Sequence, residues 1–385
     1  MNTSAWPRFF VPPIVGTILL FATTLLPAQR SLATSMEDWP IQFHPHLDLA
    51  ATYDDNILIA HNHDLSDFYF TISPGLELVH GDVAHNYLSL DYTAGIERFL
   101  EHGSQDAVNH DAALKGAFEF SRLKLAVDNQ FQIETSPNVQ VGTRVEEQRN
   151  LTDASAEYLV NKYFSLGLLY HQEFHHFPTQ GQIDYRLFQP GGALYYHVLP
   201  KTDIYGEFDY GWVDEQLGED QKFWSATLGV RGKITSKISG HIGVGYEDRE
   251  YSGSTSNVQT TVATASLHGD FSRHTSADLI VQRQINPSVT SQDNSYIATH
   301  VEFTLNQKIY REKFLVQVGG SYERDDYNPG QNRIDDVWQG RVGVKYVATK
   351  WMELGVSYHY QRDQSTLDTF SFGQNVVSVD GLLHF

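Results

Sequence analysis

Cysteine is missing from all 385 residues of the chain. Whatever fold this sequence adopts therefore holds together without disulfides, even in an oxidising compartment where disulfides would persist. The fold must rest on backbone hydrogen bonds and side-chain packing alone.

Positive charge is also scarce. The chain has 27 Lys and Arg against 47 Asp and Glu, which gives a formal net charge of −20. Nucleic acid presents a dense array of phosphates and would repel such a chain, so we expect no nucleic-acid partner. An acidic surface suits divalent cations instead.

Long apolar runs are confined to the first residues. The stretch 14–26 is about 13 residues long, whereas a helix needs about 20 to span a bilayer. Arg8 precedes this stretch and Ser31-Leu32-Ala33 supplies small residues for cleavage, so the pattern predicts a signal peptide over 1–33, with a membrane anchor as the alternative. No later segment is as apolar, which excludes a helical membrane protein and leaves 34–385 as one exported domain.

Aromatic rings are abundant, at 13% of the residues, and many of them lie in a two-residue alternation. Leu88, Leu90 and Tyr92 point to one side of an extended chain, while Ser89 and Asp91 point to the other. One face of such a strand is apolar and the other polar. The same alternation recurs in segments that begin near Leu123, Phe164, Ile204 and Met352.

The alternating segments are about 10–14 residues long, whereas strands of soluble sandwiches cluster near 5 or 6. Tilted strands of about 9–11 residues cross a membrane. The connections alternate between short turns and longer polar loops, which is typical of outer-membrane barrels with short periplasmic turns and longer extracellular loops. The short turns fall near 81–82, 121–122, 161–162, 200–201, 235–237, 272–273, 308–311 and 349–350. The longer connections fall near 61–66, 101–109, 135–150, 175–183, 214–221, 248–257, 287–294, 325–335 and 362–369.

These patterns predict an all-β fold: a closed, antiparallel transmembrane β-barrel of about 16–18 strands. The sheet must close, because an open edge in hydrocarbon would leave a row of backbone amides unpaired. A barrel of this size encloses an aqueous channel unless loops fold inward and plug it. The last strand alternates from Val377 to a C-terminal Phe385, which resembles the terminal signature that the barrel assembly machinery of the outer membrane recognises.

Several short motifs resemble those of the beta-barrel porin 2 type of outer-membrane protein. An aspartate-asparagine turn stands near the start of the predicted domain, and a Pro-Gly pair follows in the second strand. The motifs are Tyr53-Asp54-Asp55-Asn56-Ile57-Leu58, Ser66-Asp67-Phe68, Ser73-Pro74-Gly75-Leu76, Gly142-Thr143-Arg144-Val145 and Pro200-Lys201-Thr202. The resemblance implies an outer-membrane porin, and some relatives of this type are associated with exopolysaccharide production.

Charged residues on the polar side of the strands are the candidate functional residues. In a barrel that side faces the lumen, where charges set ion preference. The set is net acidic, and the alternative is that these residues only hydrate and brace the wall. The lumen-facing candidates are Asp91, Glu97, Lys115, Glu119, Lys124, Asp128, Glu134, Glu207 and Asp209.

Three further features of the sequence suggest other chemistry. Asp54 and Asp55 form a carboxylate pair, for which a turn is favoured over a calcium site or acid–base chemistry. His171, His175 and His176 are a possible base or metal cluster, but spacing supplies no third ligand, so histidines among interfacial aromatics are favoured. The strand-end rings are expected to form interfacial girdles rather than a sugar-stacking slide, for which Tyr205, on the inward side, is a candidate. The rings assigned to the girdles include Phe68, Phe70, Tyr92, Phe99, Tyr170, Phe174, Tyr195, Tyr196, Tyr210, Trp212, Tyr246, Tyr322, Tyr346 and Trp351.

The sequence therefore predicts a porin-like channel of the bacterial outer membrane for polar solutes or surface polysaccharide. We expect contact with outer-membrane lipid and lipopolysaccharide, and no catalytic residue, metal or cofactor. A plugged structural or adhesive barrel is one alternative, and a membrane-embedded hydrolase is another.

Overall fold

The computed structural model describes residues 41–61, 65–83, 86–178, 181–253, 257–290, 294–327 and 333–385. The predicted signal peptide 1–33 and the first residues of the predicted domain lie outside these ranges. Eighteen strands account for most of the described chain. They are β1 Ile41–Asp54, β2 Asp67–Gly81, β3 Tyr87–Phe99, β4 Ala107–Glu119, β5 Leu123–Asn138, β6 Thr143–Asn161, β7 Phe164–His176, β8 Tyr185–Leu199, β9 Thr202–Glu215, β10 Gln221–Lys233, β11 Ile238–Tyr251, β12 Val258–Asp270, β13 Thr275–Pro287, β14 Ser295–Ile309, β15 Phe314–Tyr327, β16 Arg333–Val347, β17 Met352–Ser365 and β18 Phe372–His384.

All strands belong to one antiparallel sheet that closes on itself. Each strand pairs with its neighbours in the chain, and β1 pairs with β18 from His46 opposite His384 to Asp54 opposite Val376. Phe385 continues the seam, because its backbone amide donates to Pro45 at 3.0 Å. The predicted closed barrel is confirmed, at the upper end of the predicted strand number. Among the described residues, no helix is long and apolar enough to cross a membrane.

The two-residue alternation separates an inner from an outer face. On β10, the inward Phe223 and Ser225 are 3% and 7% exposed, whereas the outward Trp224 and Leu228 are 38% and 72% exposed. The outer face carries exposed apolar and aromatic side chains around the sheet, as lipid contact requires. The inner face carries the charged and hydrogen-bonding side chains, so polar chemistry is concentrated in the lumen.

Short connections lie at one end of the barrel and longer ones at the other, although the difference in length is smaller than the sequence predicts. The turn end holds tight links such as 200–201 between β8 and β9. At the other end, most of the predicted long connection 135–150 is strand, because β5 continues to Asn138 and β6 begins at Thr143. Twelve of the eighteen strands have 13 or 14 residues, within the predicted length, whereas β5 and β6 reach 16 and 19 residues, so the wall extends where a loop was expected.

The aspartate-asparagine motif closes the seam at the loop end. Asp54 accepts hydrogen bonds from the Asn56 amide at 2.8 Å and from Gln374 on β18 at 2.8 Å. Asp55 accepts two hydrogen bonds from Asn375, both at 2.7 Å. Both carboxylates are therefore engaged by a turn and by the last strand, which favours the turn over a calcium site.

Candidate functional site in the barrel lumen

The nine charged residues predicted to face the lumen share the inner face. The strand register shows this, because Asp91 pairs with Glu77 on β2 while Ser89, on the same side, pairs with Lys115 on β4. The same alternation of inward and outward residues continues through the paired residues of β5 to β9. The nine are Asp91, Glu97, Lys115, Glu119, Lys124, Asp128, Glu134, Glu207 and Asp209.

Four of the nine form two ion pairs on β4 and β5. Lys115 Nζ lies 3.4 Å from Asp128 Oδ2, and Lys124 Nζ lies 3.5 Å from Glu119 Oε1. All four side chains are more than a third exposed, so water screens both pairs and each contributes less than about 1 kcal/mol. These pairs brace a hydrated wall.

Glu97 belongs to a tighter network nearer the loop end. Arg144 on β6 donates to the Glu97 carboxylate across two intervening strands, and Asn109 on β4 donates to it at 3.2 Å. The Arg144 guanidinium also stacks over Phe99 at 5.2 Å from the ring centroid. The Arg144 and Glu97 side chains are only 7% and 17% exposed, so this pair is held more rigidly than the pairs on β4 and β5.

Glu134 faces a small void in the same wall. Arg149 on β6 donates to Gln132, and Glu147 completes the lining of a cavity of about 10 Å³. A void of that size has room for about one water. The four polar side chains can satisfy a single trapped water but leave no room for a larger solute.

Glu207 and Asp209 place two carboxylates side by side on β9. Ser225 on β10 donates to Asp209 at 3.1 Å. The carboxylate lies over Gly191 on β8, where an added Cβ would come within 1.9 Å of Asp209 Oδ1. Glycine at 191 therefore makes room for the acid, and the pair concentrates negative charge on this part of the wall.

Arginines on the inner face were not among the predicted site residues. Arg231 on β10 donates to Asp203 at 3.0 Å and to Glu157 at 2.7 Å, and its guanidinium stacks 3.3 Å from the Tyr195 ring centroid. Glu157 is on β6, so this one side chain reaches across the three strands between β6 and β10. The two-residue alternation indicates that these arginines point inward, but it does not reveal their partners, which lie on distant strands. Other arginines of the inner face include Arg249, Arg333 and Arg341.

The expectation that His171 and His175 lie among interfacial aromatics is wrong, because both point into the lumen. Asp153 and Glu173 each lie 2.8 Å from a ring nitrogen of His171. Glu173 and Glu147 lie 3.2 and 2.5 Å from the two ring nitrogens of His175. Every ring nitrogen of this ladder therefore faces a carboxylate, and the ladder joins β6 to β7 on the inner face.

His176 is separate from that ladder. It points outward, is mostly exposed, and its Nδ1 lies 2.6 Å from Asp184 Oδ2. The three histidines therefore do not converge on one point. Within the described ranges, no three His, Asp or Glu side chains are grouped as a metal ion would need.

The aromatic rings divide between the two faces. Phe99, Tyr195 and Tyr205 are buried on the inner face at 6–7% exposure, which corrects the placing of Phe99 and Tyr195 in the girdles. Tyr205 packs on the wall, where a Cβ at Gly229 would lie 2.5 Å from its ring, so it offers little face to a sugar. Rings exposed on the outer face include Phe68, Phe70, Tyr92, Tyr196, Tyr210, Tyr246 and Trp351.

The tip between β5 and β6 folds across the lumen. Gly142 adopts a positive φ of 72°, and its amide donates to Asn138 at 2.8 Å, which closes a tight turn. Gln140 in this turn donates to the Tyr296 hydroxyl at 3.0 Å. Tyr296 is on β14, eight strands from β6 in a barrel of eighteen, so the contact joins nearly opposite walls.

The connection after β13 meets this tip from the other side. The Val289 amide donates to Gln140 at 3.2 Å, and the Val289 carbonyl accepts from Ile183 at 2.9 Å. Val289 is 4% exposed and packs in an apolar cluster inside the loop end of the barrel. The rest of this cluster is Val145, Phe177, Tyr185, Leu187, Val213 and Phe223. The two inserted segments narrow the lumen at its loop end.

A closed barrel with an apolar girdled exterior and a polar, charged lumen defines a porin-type protein of the bacterial outer membrane. Residues 180–384 match the model of the family described as "Putative beta-barrel porin 2". The match covers more than half of the chain, and the protein belongs to this family. A comparison with curated proteins finds no match.

Solved outer-membrane proteins have a similar outline. OpdK of Pseudomonas aeruginosa is 9% identical, with a TM-score of 0.47 over 89% of this chain and 99% of that one. OccAB3 of Acinetobacter baumannii is 11% identical, with a TM-score of 0.46 over 89% and 99%. OccK2 (OpdF) of Pseudomonas aeruginosa, solved with glucuronate, is 9% identical, with a TM-score of 0.48 over 91% and 99%. Likenesses of this size say nothing about the solute of this chain.

Proposed function

We propose that the barrel is a passive channel for small polar solutes and that its lumen prefers cations. The observation that carries the proposal is the acidic inner wall in a member of a porin family. Besides Glu207 and Asp209, acids line the inner face of β1 to β4 and of β18. They are Asp48, Glu77, Asp91, Asp111 and Asp380.

Charge on the wall of a narrow aqueous pore acts on every ion that enters it. A low-dielectric barrel focuses the field of its lumen charges, so an excess of carboxylates raises the local concentration of cations. Arg231, Arg249, Arg333 and Arg341 do not cancel this excess, because they neutralise their own carboxylate partners, as Arg231 does Asp203 and Glu157, rather than the acids named above. Asp91, Glu207 and Asp209 are therefore the predicted site residues best placed to set ion preference.

The inserted segments limit the size of the solute. The Gln140 tip and Val289 meet within the loop end, which favours small solutes over a surface polysaccharide unless the segments move. The same observation favours the second candidate, a plugged barrel with a structural role. Catalysis is not part of the proposal, since His171 and His175 face carboxylates through both ring nitrogens.

Liposome swelling separates these candidates. The purified protein, reconstituted into vesicles, is exposed to isosmotic arabinose, sucrose, raffinose and a dextran fragment. A small-solute channel gives fast swelling in arabinose and rates that fall steeply with solute size. Equal rates for the dextran fragment would favour polymer passage, and no swelling above protein-free vesicles would favour the plugged barrel.

A further inference from the structure

A groove of about 750 Å³ runs across the lipid-facing side of β7 to β11. Its floor is low because small residues occupy outward positions on three adjacent strands, and large apolar side chains stand on either side. The floor is formed by Gly192, Gly206 and Ala226, and the walls include Leu168, Phe208 and Leu228, which are 54–72% exposed.

Lysines cluster at the turn end of the same strands. Lys162 lies in the turn between β6 and β7, Lys201 in the turn between β8 and β9, and Lys233 and Lys237 flank the turn between β10 and β11. All four are exposed, and the turns 162–163, 200–201 and 234–237 contain no acidic residue. In a chain with a net charge of −20, this is a local reversal of sign.

The groove and the lysines lie at a matching depth. Gly206 is five residues along β9 from Lys201, which is about 17 Å along the strand. With a strand tilt of about 40°, the separation along the membrane normal is roughly 13 Å. A lipid whose phosphate lies at the lysines therefore has its acyl chain at the level of the groove.

We propose that this face binds an anionic phospholipid of the periplasmic leaflet. The phosphate sits among Lys162, Lys201 and Lys233, and one acyl chain fills the groove over Gly206. Charge selects this occupant over a second copy of the barrel. Two barrels side by side in one membrane bring their lysine turns to the same depth, where like charges repel, whereas a lipid phosphate complements them.

Native mass spectrometry of the detergent-purified barrel tests the proposal. The protein is titrated with palmitoyl-oleoyl phosphatidylglycerol and, separately, with the matching phosphatidylcholine. A basic residue near an anionic lipid is worth roughly fivefold in affinity. We therefore expect Lys162→Gln, Lys201→Gln and Lys233→Gln together to weaken phosphatidylglycerol binding at least tenfold and to leave phosphatidylcholine binding unchanged.

A matched triple variant controls for net charge. Arg273→Gln, Arg311→Gln and Lys313→Gln remove three exposed positive charges from turns outside the groove, and this variant should bind phosphatidylglycerol as the unmodified barrel does. Equal losses in both triple variants would overturn the site, because they would show general charge attraction only.

Filling the groove tests the acyl contact. Ala226→Phe should weaken binding of both lipids, whereas Ala265→Phe, on the outer face of β12 outside the groove, should not. Dimers that disappear in Ala226→Phe would instead identify a second copy as the occupant and overturn the proposal. Heat-modifiable gel mobility checks that each variant is folded, and the lysine variants, being on exposed turns, keep the test valid if Ala226→Phe fails to fold.

Discussion

Replacing Arg333 by methionine should release the β5–β6 tip from the lumen and raise the conductance of the barrel. Arg333 on β16 is 2% exposed and donates to the backbone carbonyls of Gln140 and Val139 at 3.1 and 3.3 Å. Its guanidinium also pairs with Asp335 and stacks 3.4 Å from the Phe370 ring centroid. One side chain therefore ties the tip to a distant wall.

The size of the effect follows from these contacts. A hydrogen bond from a charged donor contributes about 1.5–3 kcal/mol, so two of them hold the tip with about 3–6 kcal/mol. Gln140 keeps its contacts with Tyr296 and Val289 in the variant, and we therefore expect a loss near the lower value. A loss of about 3 kcal/mol raises the population of the released tip roughly 100-fold.

Single-channel recording in planar bilayers measures the result. Arg333→Met should give larger or more frequent open steps than the unmodified barrel in symmetric KCl. Arg324→Met is the matched control, because Arg324 is on β15, points outward and is 44% exposed. Unchanged conductance in Arg333→Met, or an equal rise in Arg324→Met, would refute the constriction by the tip.

Three further changes test the network and the lumen charge. Arg231→Met removes the partner of the Glu157 and Asp203 carboxylates and should lower the free energy of unfolding by about 3 kcal/mol. Urea unfolding in lipid vesicles, followed by tryptophan fluorescence, measures this change. An unchanged midpoint of unfolding would count against the prediction. Asn56→Ala removes hydrogen bonds to both Ala60 backbone groups and to the Gly373 carbonyl and should cost about 1–3 kcal/mol, read as a lower temperature of heat-modified gel migration. Glu207→Gln with Asp209→Asn should move the reversal potential in a KCl gradient toward zero, and no movement would exclude these acids from ion preference.

The barrel was predictable because alternation is a local property. Each strand shows its two faces in its own residues, so Leu88 and Asp91 were assigned to opposite sides without knowledge of a partner strand. Closure followed from the same reasoning, because a sheet edge has no hydrogen-bond partner in hydrocarbon. Parity likewise assigned all nine charged candidates to one face, and the register agrees with that assignment.

Contacts between distant strands could not be predicted in the same way. Arg231 and Glu157 are 74 residues apart, and Gln140 and Tyr296 are 156 apart. Alternation gives the side of a residue but not its height in the barrel or its partner across the lumen. For this reason the sequence does not reveal the inserted segments, and it predicts a polar loop over 135–150 because the charges there resemble those of a solvated connection.

The histidine and ring assignments failed through neglect of parity. His175 stands beside Phe174, and that neighbourhood indicated an aromatic interface, but adjacent residues of a strand point to opposite faces. Tyr195 and Tyr196 divide in the same way, with Tyr195 buried in the lumen and Tyr196 exposed to lipid. Whether a residue points inward or outward on its strand therefore predicts the environment of its side chain better than the identity of its sequence neighbours does.

The reversal potential of the unmodified barrel in planar bilayers tests the central claim most directly. With a tenfold KCl gradient, an aqueous lumen lined by excess carboxylates gives discrete current steps. The reversal potential of these steps is shifted from zero toward the equilibrium potential of potassium. A reversal potential shifted toward the equilibrium potential of chloride would contradict the cation preference of the lumen. The absence of current steps above those of the protein-free bilayer would contradict the proposal that the barrel is a channel.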